Sequence, residues 1–114
     1  MKYLIEEREN VLIVYFQEKL DINSSLEVEE ELTEKLEKDI KFVVFDFKNT
    51  QYISSSGIRV IVATHKKLEK RNGALYLTNL SESVKVVLKL VELDKILNIV
   101  ENTEVALLEI NGRK

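Results

Sequence analysis

The sequence predicts a single α/β domain over residues 1–114, built on a mostly parallel sheet. Nearly continuous apolar runs at 11–16 and 42–47 are typical of strands that are covered on both faces. Amphipathic helical patterns separate the later strands, so each of these strands should lie parallel to its predecessor through a right-handed crossover. The expected order is β-β-α-β-α-β-α-β-α, with a mixed sheet of four to five strands, about four helices and one antiparallel edge.

The first part of the chain contains a predicted hairpin and one helix. Segments 2–8 and 11–17 are rich in β-branched, leucine and aromatic residues, and the Glu-Asn pair between them suits a tight turn. Ser24 and Glu27 have the spacing of a capping box, which predicts that the next helix opens there. Apolar residues then recur at every fourth position in a highly charged segment, at Val28, Leu32 and Leu36.

The rest of the chain alternates strands and helices. Strands are predicted at 42–47, 74–78 and 96–100. Helices are predicted at 54–71, at 81–93, and from Asn102 or Thr103 to about residue 110, with stops at Asn72-Gly73 and at Gly112. The helix at 81–93 has a second apolar stripe, so it is either deeply buried or offers apolar surface to a partner. That stripe consists of Val86, Leu90 and Leu93.

The composition argues against several classes of function. A formal net charge of −3 disfavours nucleic acid or an anionic membrane surface as the main partner. The absence of cysteine excludes a disulfide framework and a thiolate nucleophile, and a cytoplasmic location is expected. The apolar runs are too short for membrane insertion, and acidic residues interrupt the beginning of the sequence before it could form a signal peptide.

An enzymatic function is not expected either. The only histidine, His65, follows Ser55 by ten residues on the same predicted helix, about 15 Å along its axis. This distance is too long for a base that activates the serine, and the position of His65 in the apolar stripe favours a core or boundary residue. No metal-ligand spacing occurs, and the glycines at 57, 73 and 112 cannot form a phosphate-binding loop. We therefore expect no catalytic residue, no metal and no cofactor.

Two polar loops are the best candidates for a functional site, because sites in open α/β sheets lie at the carboxyl ends of the strands. These loops span residues 18–24 and 48–56. The second loop leads into three consecutive serines and Gly57 at a helix start. Serine is a common helix cap and glycine permits a tight turn, but capping accounts for only one serine of the three.

Residues 46–60 resemble the signature of STAS domains, the family of the bacterial anti-sigma factor antagonists. In that family a strand ending in Asp and an apolar residue precedes a polar loop and then Asp-Ser-Ser-Gly-apolar at a helix start. Here the strand ends in Asp46-Phe47, and the helix start is Ser54-Ser55-Ser56-Gly57-Ile58. Leu20-Asp21 in the first loop resembles the family's Leu-Asp element, so the resemblance covers essentially the whole chain.

The resemblance implies a phosphoacceptor at Ser55. Ser54 stands where the family usually has Asp, which makes Ser54 and Ser56 competing acceptors. Asp46 and Asn49 are implied as the framework of the site. The docking face is expected to comprise residues 21–25 and 54–66. The implied partner-binding residues are Asp21, Ile22, Ser54, Ser56, Gly57, Ile58 and Arg59.

The function implied by the resemblance is that of an anti-sigma factor antagonist. The unphosphorylated form would bind a serine-kinase anti-sigma factor and release the sigma factor. Phosphorylation by that kinase would end the binding, and a PP2C-type phosphatase would restore it. Two questions stay open: whether the chain is instead a constitutive STAS scaffold or a ligand-sensing subunit of a signalling or transporter-associated complex, and whether it is a monomer or a weak homodimer.

Overall fold

The computed structural model describes residues 3–114, so the predicted strand start at Lys2 lies outside the described residues. Within residues 3–114 the chain forms seven strands, four α-helices and one 3₁₀ turn. The strands are β1 (Tyr3–Arg8), β2 (Val11–Phe16), β3 (Lys19–Leu20), β4 (Phe42–Asp46), β5 (Tyr52–Ile53), β6 (Ala74–Thr78) and β7 (Asn98–Val100). The helices are α1 (Ile22–Lys35), α2 (Ser55–Glu69), α3 (Glu82–Leu90) and α4 (Thr103–Arg113), and the 3₁₀ turn is Leu93–Lys95.

The main sheet has five strands in the order β1-β2-β4-β6-β7. β1 is antiparallel to β2, and every other neighbouring pair in this sheet is parallel. The predicted α/β class, with a mostly parallel sheet and one antiparallel edge, is confirmed. β3 and β5 form a separate parallel pair at positions where the sequence predicted only polar loops.

Two apolar clusters cover the two faces of the main sheet. Leu12 and Val14 of β2 pack in the cluster that contains the buried residues of α1, α2 and α3. Val11 and Ile13 of the same strand pack in the cluster that contains Ile110 of α4. Because both faces of β2 are covered, its sequence is a continuous apolar run without alternation.

The helix α1 begins earlier than the sequence predicted. Asp21 is its N-cap: the Asp21 carboxylate accepts the Ser24 N–H at 3.0 Å, and the Ser24 hydroxyl accepts the Asp21 N–H at 3.0 Å. The predicted capping box of Ser24 and Glu27 is therefore wrong. Asp and Ser both cap helices well, so a sequence with both residues three positions apart does not reveal which one is the cap.

Several other predicted boundaries also need correction. α2 ends at Glu69 and α3 at Leu90, each before its predicted end, and β7 begins only at Asn98. Gly112 lies within α4, so the predicted stop there is wrong. The stop after α2 is confirmed, but Asn72, with a φ of 62°, supplies the left-handed residue.

The helix α3 leaves Val86 and Leu90 of the second apolar stripe on the surface. The third residue of the stripe, Leu93, lies in the 3₁₀ turn and is partly buried against the core. Val84 and Leu88 are completely buried, whereas the side chains of Val86 and Leu90 are 54% and 77% exposed. Of the two possibilities left by the sequence, the structure therefore shows the exposed one. No helix within residues 3–114 has the length and apolar character needed to cross a bilayer.

Candidate functional site

The two polar loops lie side by side at the carboxyl edge of the sheet. β3 and β5 pair in parallel and join them. The buried Thr50 hydroxyl donates a hydrogen bond to the Gln17 carbonyl at 2.7 Å. The Gln51 N–H donates to the Glu18 carbonyl at 2.9 Å. These bonds hold the serine loop, residues 48–56, against the loop at 18–24 that leads into α1.

Ser54 is the N-cap of α2, and its hydroxyl both donates and accepts a hydrogen bond. The hydroxyl oxygen accepts the Gly57 N–H at 3.2 Å and donates to the Leu20 carbonyl at 3.0 Å. The Ser54 N–H also donates to the Leu20 carbonyl, at 2.9 Å. A phosphate on this oxygen would remove its donor and disrupt the cap, so Ser54 is poorly suited as an acceptor.

Ser55 is the first residue of α2, and its side chain is exposed. Its hydroxyl makes no hydrogen bond to any residue in the described part of the chain. Ser56, the next residue, is half-buried. The first N–H groups of a helix lack intrahelical partners and lie at the positive end of its dipole. Ser55 thus combines an accessible, uncommitted hydroxyl with a backbone environment that favours an anion.

Gly57 allows α2 to approach the β3–β5 pair closely. A Cβ at this position would lie 2.8 Å from Leu20 Cγ, 2.8 Å from Ile53 Cγ1 and 2.9 Å from the Leu20 carbonyl oxygen. The φ of Gly57 is not positive, so the prediction that it provides a tight turn is wrong. Gly57 is buried and has no side chain, so it does not contribute to the surface beside the serines.

Large apolar side chains are exposed on the segments next to the serines. Ile22 is 58% exposed, and Leu26 and Tyr52 are each 53% exposed. Sequence reasoning identified Ile22 and missed the other two. The available signal was that Ile22 and Leu26 are four residues apart and lie off the buried stripe of α1, so they share an exposed face. Exposed apolar side chains indicate a docking surface where they form a contiguous patch.

The predicted docking face needs correction in both of its segments. Ser24 and Ser25 are only 2% and 0% exposed, so they cannot contribute to it. Four residues within 54–66 are also buried and are excluded from it: Gly57, Val60, Ile61 and Thr64. Ile58 is partly buried against the main core, whereas Arg59 is exposed. The Arg59 guanidinium donates to the Glu29 carboxylate at 2.9 Å and so connects α2 to α1.

Asp46 connects several elements at the carboxyl edge of the main sheet. Its side chain is buried and accepts the Lys48 N–H at 2.9 Å. It also accepts the Asn79 amide at 3.1 Å and the Thr103 hydroxyl at 2.7 Å. Asp46 therefore holds the beginning of the serine loop, the end of β6 and the beginning of α4 together. Asn49 is exposed and lines, with Asp46, a groove of about 360 Å³.

Tyr15 and His65 are titratable side chains that each contact a carboxylate. Burial and a hydrogen bond to the Glu6 carboxylate raise the pKa of the Tyr15 phenol, so it stays protonated. The His65 side chain is 13% exposed and lies 3.7 Å from the Glu69 carboxylate, which confirms a boundary residue. Among residues 3–114, no three potential metal ligands come together.

A family model described as the STAS domain matches residues 2–106. The anti-sigma F factor antagonist of Paenibacillus polymyxa is 29% identical over 107 residues, covering 93% of this chain and 92% of the relative. The anti-sigma-B factor antagonist of Staphylococcus aureus is 27% identical over 86 residues, covering 75% of this chain and 80% of the relative.

Solved structures show the same fold. The anti-sigma factor antagonist SpoIIAA in its unphosphorylated form has a TM-score of 0.87 at 18% identity, with 96% of each chain covered. The phosphorylated form of SpoIIAA, described as a Bacillus cell fate determinant, has a TM-score of 0.77 at 16% identity, with 94% of this chain and 96% of that chain covered. At these identities the likeness establishes the architecture.

Proposed function

Since the chain belongs to the STAS domain family, we propose that it acts as an anti-sigma factor antagonist controlled by phosphorylation of Ser55. In its unphosphorylated form it binds a serine-kinase anti-sigma factor in the cytoplasm and releases the sigma factor. The kinase ends this binding by phosphorylating Ser55, and a PP2C-type phosphatase reverses it. The protein acts by binding and not as an enzyme, and residues 1–114 act as one domain.

The observation that carries this proposal is the difference between Ser54 and Ser55. Ser54 is committed to capping α2 and to the Leu20 carbonyl, whereas Ser55 is exposed and makes no such bond. In the phosphoryl transfer, the Ser55 oxygen bonds to the γ-phosphorus of ATP while the bond from that phosphorus to the β,γ-bridging oxygen breaks. ADP leaves, and the hydroxyl proton passes to a base of the kinase.

The phosphate can be accepted without unfolding α2. It adds about −1.5 to −2 charges at a helix start, where free N–H groups and the helix dipole stabilise an anion. The capping bonds of Ser54 are not used by the modification and remain in place. The phosphorylated protein therefore keeps its fold, and the change is confined to its surface.

Phosphorylation ends binding because it places charge beside apolar surface. Ile22, Leu26 and Tyr52 are exposed on the neighbouring segments and would be buried by a docked partner. A phosphate in such an interface loses its hydration, and the cost of desolvating it opposes binding by several kcal/mol. About 5.5 kcal/mol suffices to move a population from 99% bound to 99% free.

Substitutions in the serine triplet test the proposal with the cognate kinase. Ser55→Ala should abolish phosphorylation and keep the binding, whereas Ser55→Glu should weaken the binding. Ser56→Ala is the matched control and should still be phosphorylated at Ser55. The proposal fails if Ser55→Ala is phosphorylated as well as wild type and Ser55→Glu binds the kinase equally well.

The exposed stripe of α3 favours a second candidate function, a constitutive scaffold or ligand-sensing subunit of a signalling or transporter-associated complex. Val86 and Leu90 are exposed on a helix distinct from the serine-bearing helix α2. A partner seated on α3 would not depend on phosphorylation. Isolating complexes from native extract distinguishes the two functions, because a partner without a kinase domain whose binding ignores phosphatase treatment favours the scaffold. Sedimentation of the purified protein tests the expected monomer or weak homodimer.

A further inference from the structure

We propose that Arg59 exchanges partners when Ser55 is phosphorylated, leaving the Glu29 carboxylate and binding the phosphate. The inference rests on the proposed phosphorylation of Ser55. It identifies Arg59 as the side chain that forms an ion pair with the phosphate. It also extends the effect of the modification from α2 to α1.

In the unmodified protein, Arg59 bridges two helices. Its Nη1 atom lies 2.9 Å from Glu29 Oε2, and the two side chains are 51% and 34% exposed. Exposed ion pairs contribute little to stability because water solvates both charges well. When Arg59 leaves the Glu29 carboxylate for a more highly charged partner, the protein therefore loses little stability.

The spacing along α2 places Arg59 within reach of a phosphate on Ser55. Residues four apart on a helix share one face, with their Cβ atoms about 5–6 Å apart. Helical Cα–Cβ bonds lean towards the helix N-terminus, so the Arg59 side chain can reach back towards Ser55 once it leaves Glu29. Its planar guanidinium can donate two parallel hydrogen bonds to phosphate oxygens.

Charge favours the phosphate over the carboxylate. The phosphate carries about −1.5 to −2 charges, against −1 for the Glu29 carboxylate. The backbone can add donors from the first turn of α2, although the N–H of Gly57 already bonds to Ser54. The next cation on the exposed face of α2, Lys66, follows Ser55 by eleven residues, about 16 Å along the axis. Arg59 is thus the cationic side chain of α2 that is placed to bind the phosphate.

The exchange has a consequence for the docking surface. The Glu29 carboxylate loses its positive partner and becomes an additional negative charge on α1. The Arg59 guanidinium becomes engaged by the phosphate and is no longer available to an acidic group of a binding partner. Phosphorylation therefore changes the charge pattern on both helices without moving either backbone.

The test uses phosphoserine incorporated at position 55 during translation, so that no kinase is needed. A ³¹P NMR titration then gives the midpoint of the second ionisation of the phosphate. Arg59→Gln should raise this midpoint by about 0.5 pH unit, which corresponds to about 0.7 kcal/mol at 1.36 kcal/mol per unit. The midpoint for Arg59→Lys should lie between the midpoints for wild type and Arg59→Gln. Lys66→Gln, which also removes one positive charge from α2, should leave the midpoint unchanged. Equal midpoints in wild type and Arg59→Gln would overturn the proposal.

A double-mutant cycle tests the competition with Glu29. Glu29→Gln should lower the midpoint in the otherwise wild-type phosphoprotein, because Arg59 then has no second partner. The effect should be much smaller in the Arg59→Gln background. An equal effect in both backgrounds would show that Glu29 acts only through its own charge, and partner exchange would be refuted. If no kinase modified Ser55, the proposed function would fail. The midpoints measured here would not change, because the phosphoserine is incorporated without a kinase.

Discussion

Replacing Gly57 with alanine tests whether close packing of α2 on β3 and β5 builds the serine site. The new Cβ would lie 2.8 Å from Leu20 Cγ and 2.9 Å from the Leu20 carbonyl oxygen. Real Cβ atoms do not approach other atoms so closely, so α2 has to move relative to β3. Overpacking of this kind costs about 1–3 kcal/mol, and the better helix propensity of alanine offsets up to about 1 kcal/mol. With the full offset, we expect a net loss of up to about 2 kcal/mol in the free energy of unfolding.

Gly112→Ala is the matched control for this experiment. Gly112 also lies in a helix, but a Cβ there would have no atom within 4 Å. This substitution should be neutral or should stabilise the protein by up to about 1 kcal/mol. Urea unfolding followed by circular dichroism measures both variants. If Gly57→Ala were as stable as Gly112→Ala, the close approach of α2 to Leu20 would not constrain the site, and the reasoning would be refuted.

Three further substitutions have expected effects on stability. Ser54→Ala should lower the free energy of unfolding by about 1–2 kcal/mol because it removes the α2 cap, whereas Ser55→Ala should be within about 0.5 kcal/mol of wild type. Equal losses of stability in urea unfolding would contradict the assignment of the cap. Asp46→Asn should cost about 1–3 kcal/mol, because an amide cannot accept all the hydrogen bonds that the carboxylate accepts, and Asp39→Asn, an exposed control, should cost almost nothing. Burial and a hydrogen bond to a carboxylate of α1 raise the pKa of Tyr3. Above a pH of about 10 the tyrosine ionises first in the unfolded state, so wild type should lose stability relative to Tyr3→Phe as the pH rises. A constant difference in the free energy of unfolding between the two proteins from pH 9 to 11 would argue against the raised pKa.

The fold was predictable from the sequence wherever a pattern extends over several residues. The runs 11–16 and 42–47 are apolar at every position except Asp46, because both faces of β2 and β4 are buried. The pair β3–β5 was not predictable, since two strands of two residues each carry no periodic signal. These strands exist because loops that are distant in sequence pair with each other.

The site was predictable as a location but not in its internal contacts. The serine triplet and Gly57 indicated the start of α2, yet the bond that distinguishes Ser54 from Ser55 goes to Leu20, 34 residues earlier. The hydrogen bond between Asp46 and Thr103 spans 57 residues. Contacts over such separations depend on the packing of the whole sheet, and no local pattern in one sequence reveals them.

Phosphosite mapping by mass spectrometry tests the central claim most directly. Purified wild type, Ser55→Ala and Ser56→Ala would be incubated with ATP and an extract of the native host, and the modified serine identified in each. We expect one phosphate on Ser55 in wild type and in Ser56→Ala, and none in the triplet of Ser55→Ala. Phosphate on Ser54 or Ser56, or phosphorylation that persists in Ser55→Ala, would contradict the assignment of Ser55 as the acceptor.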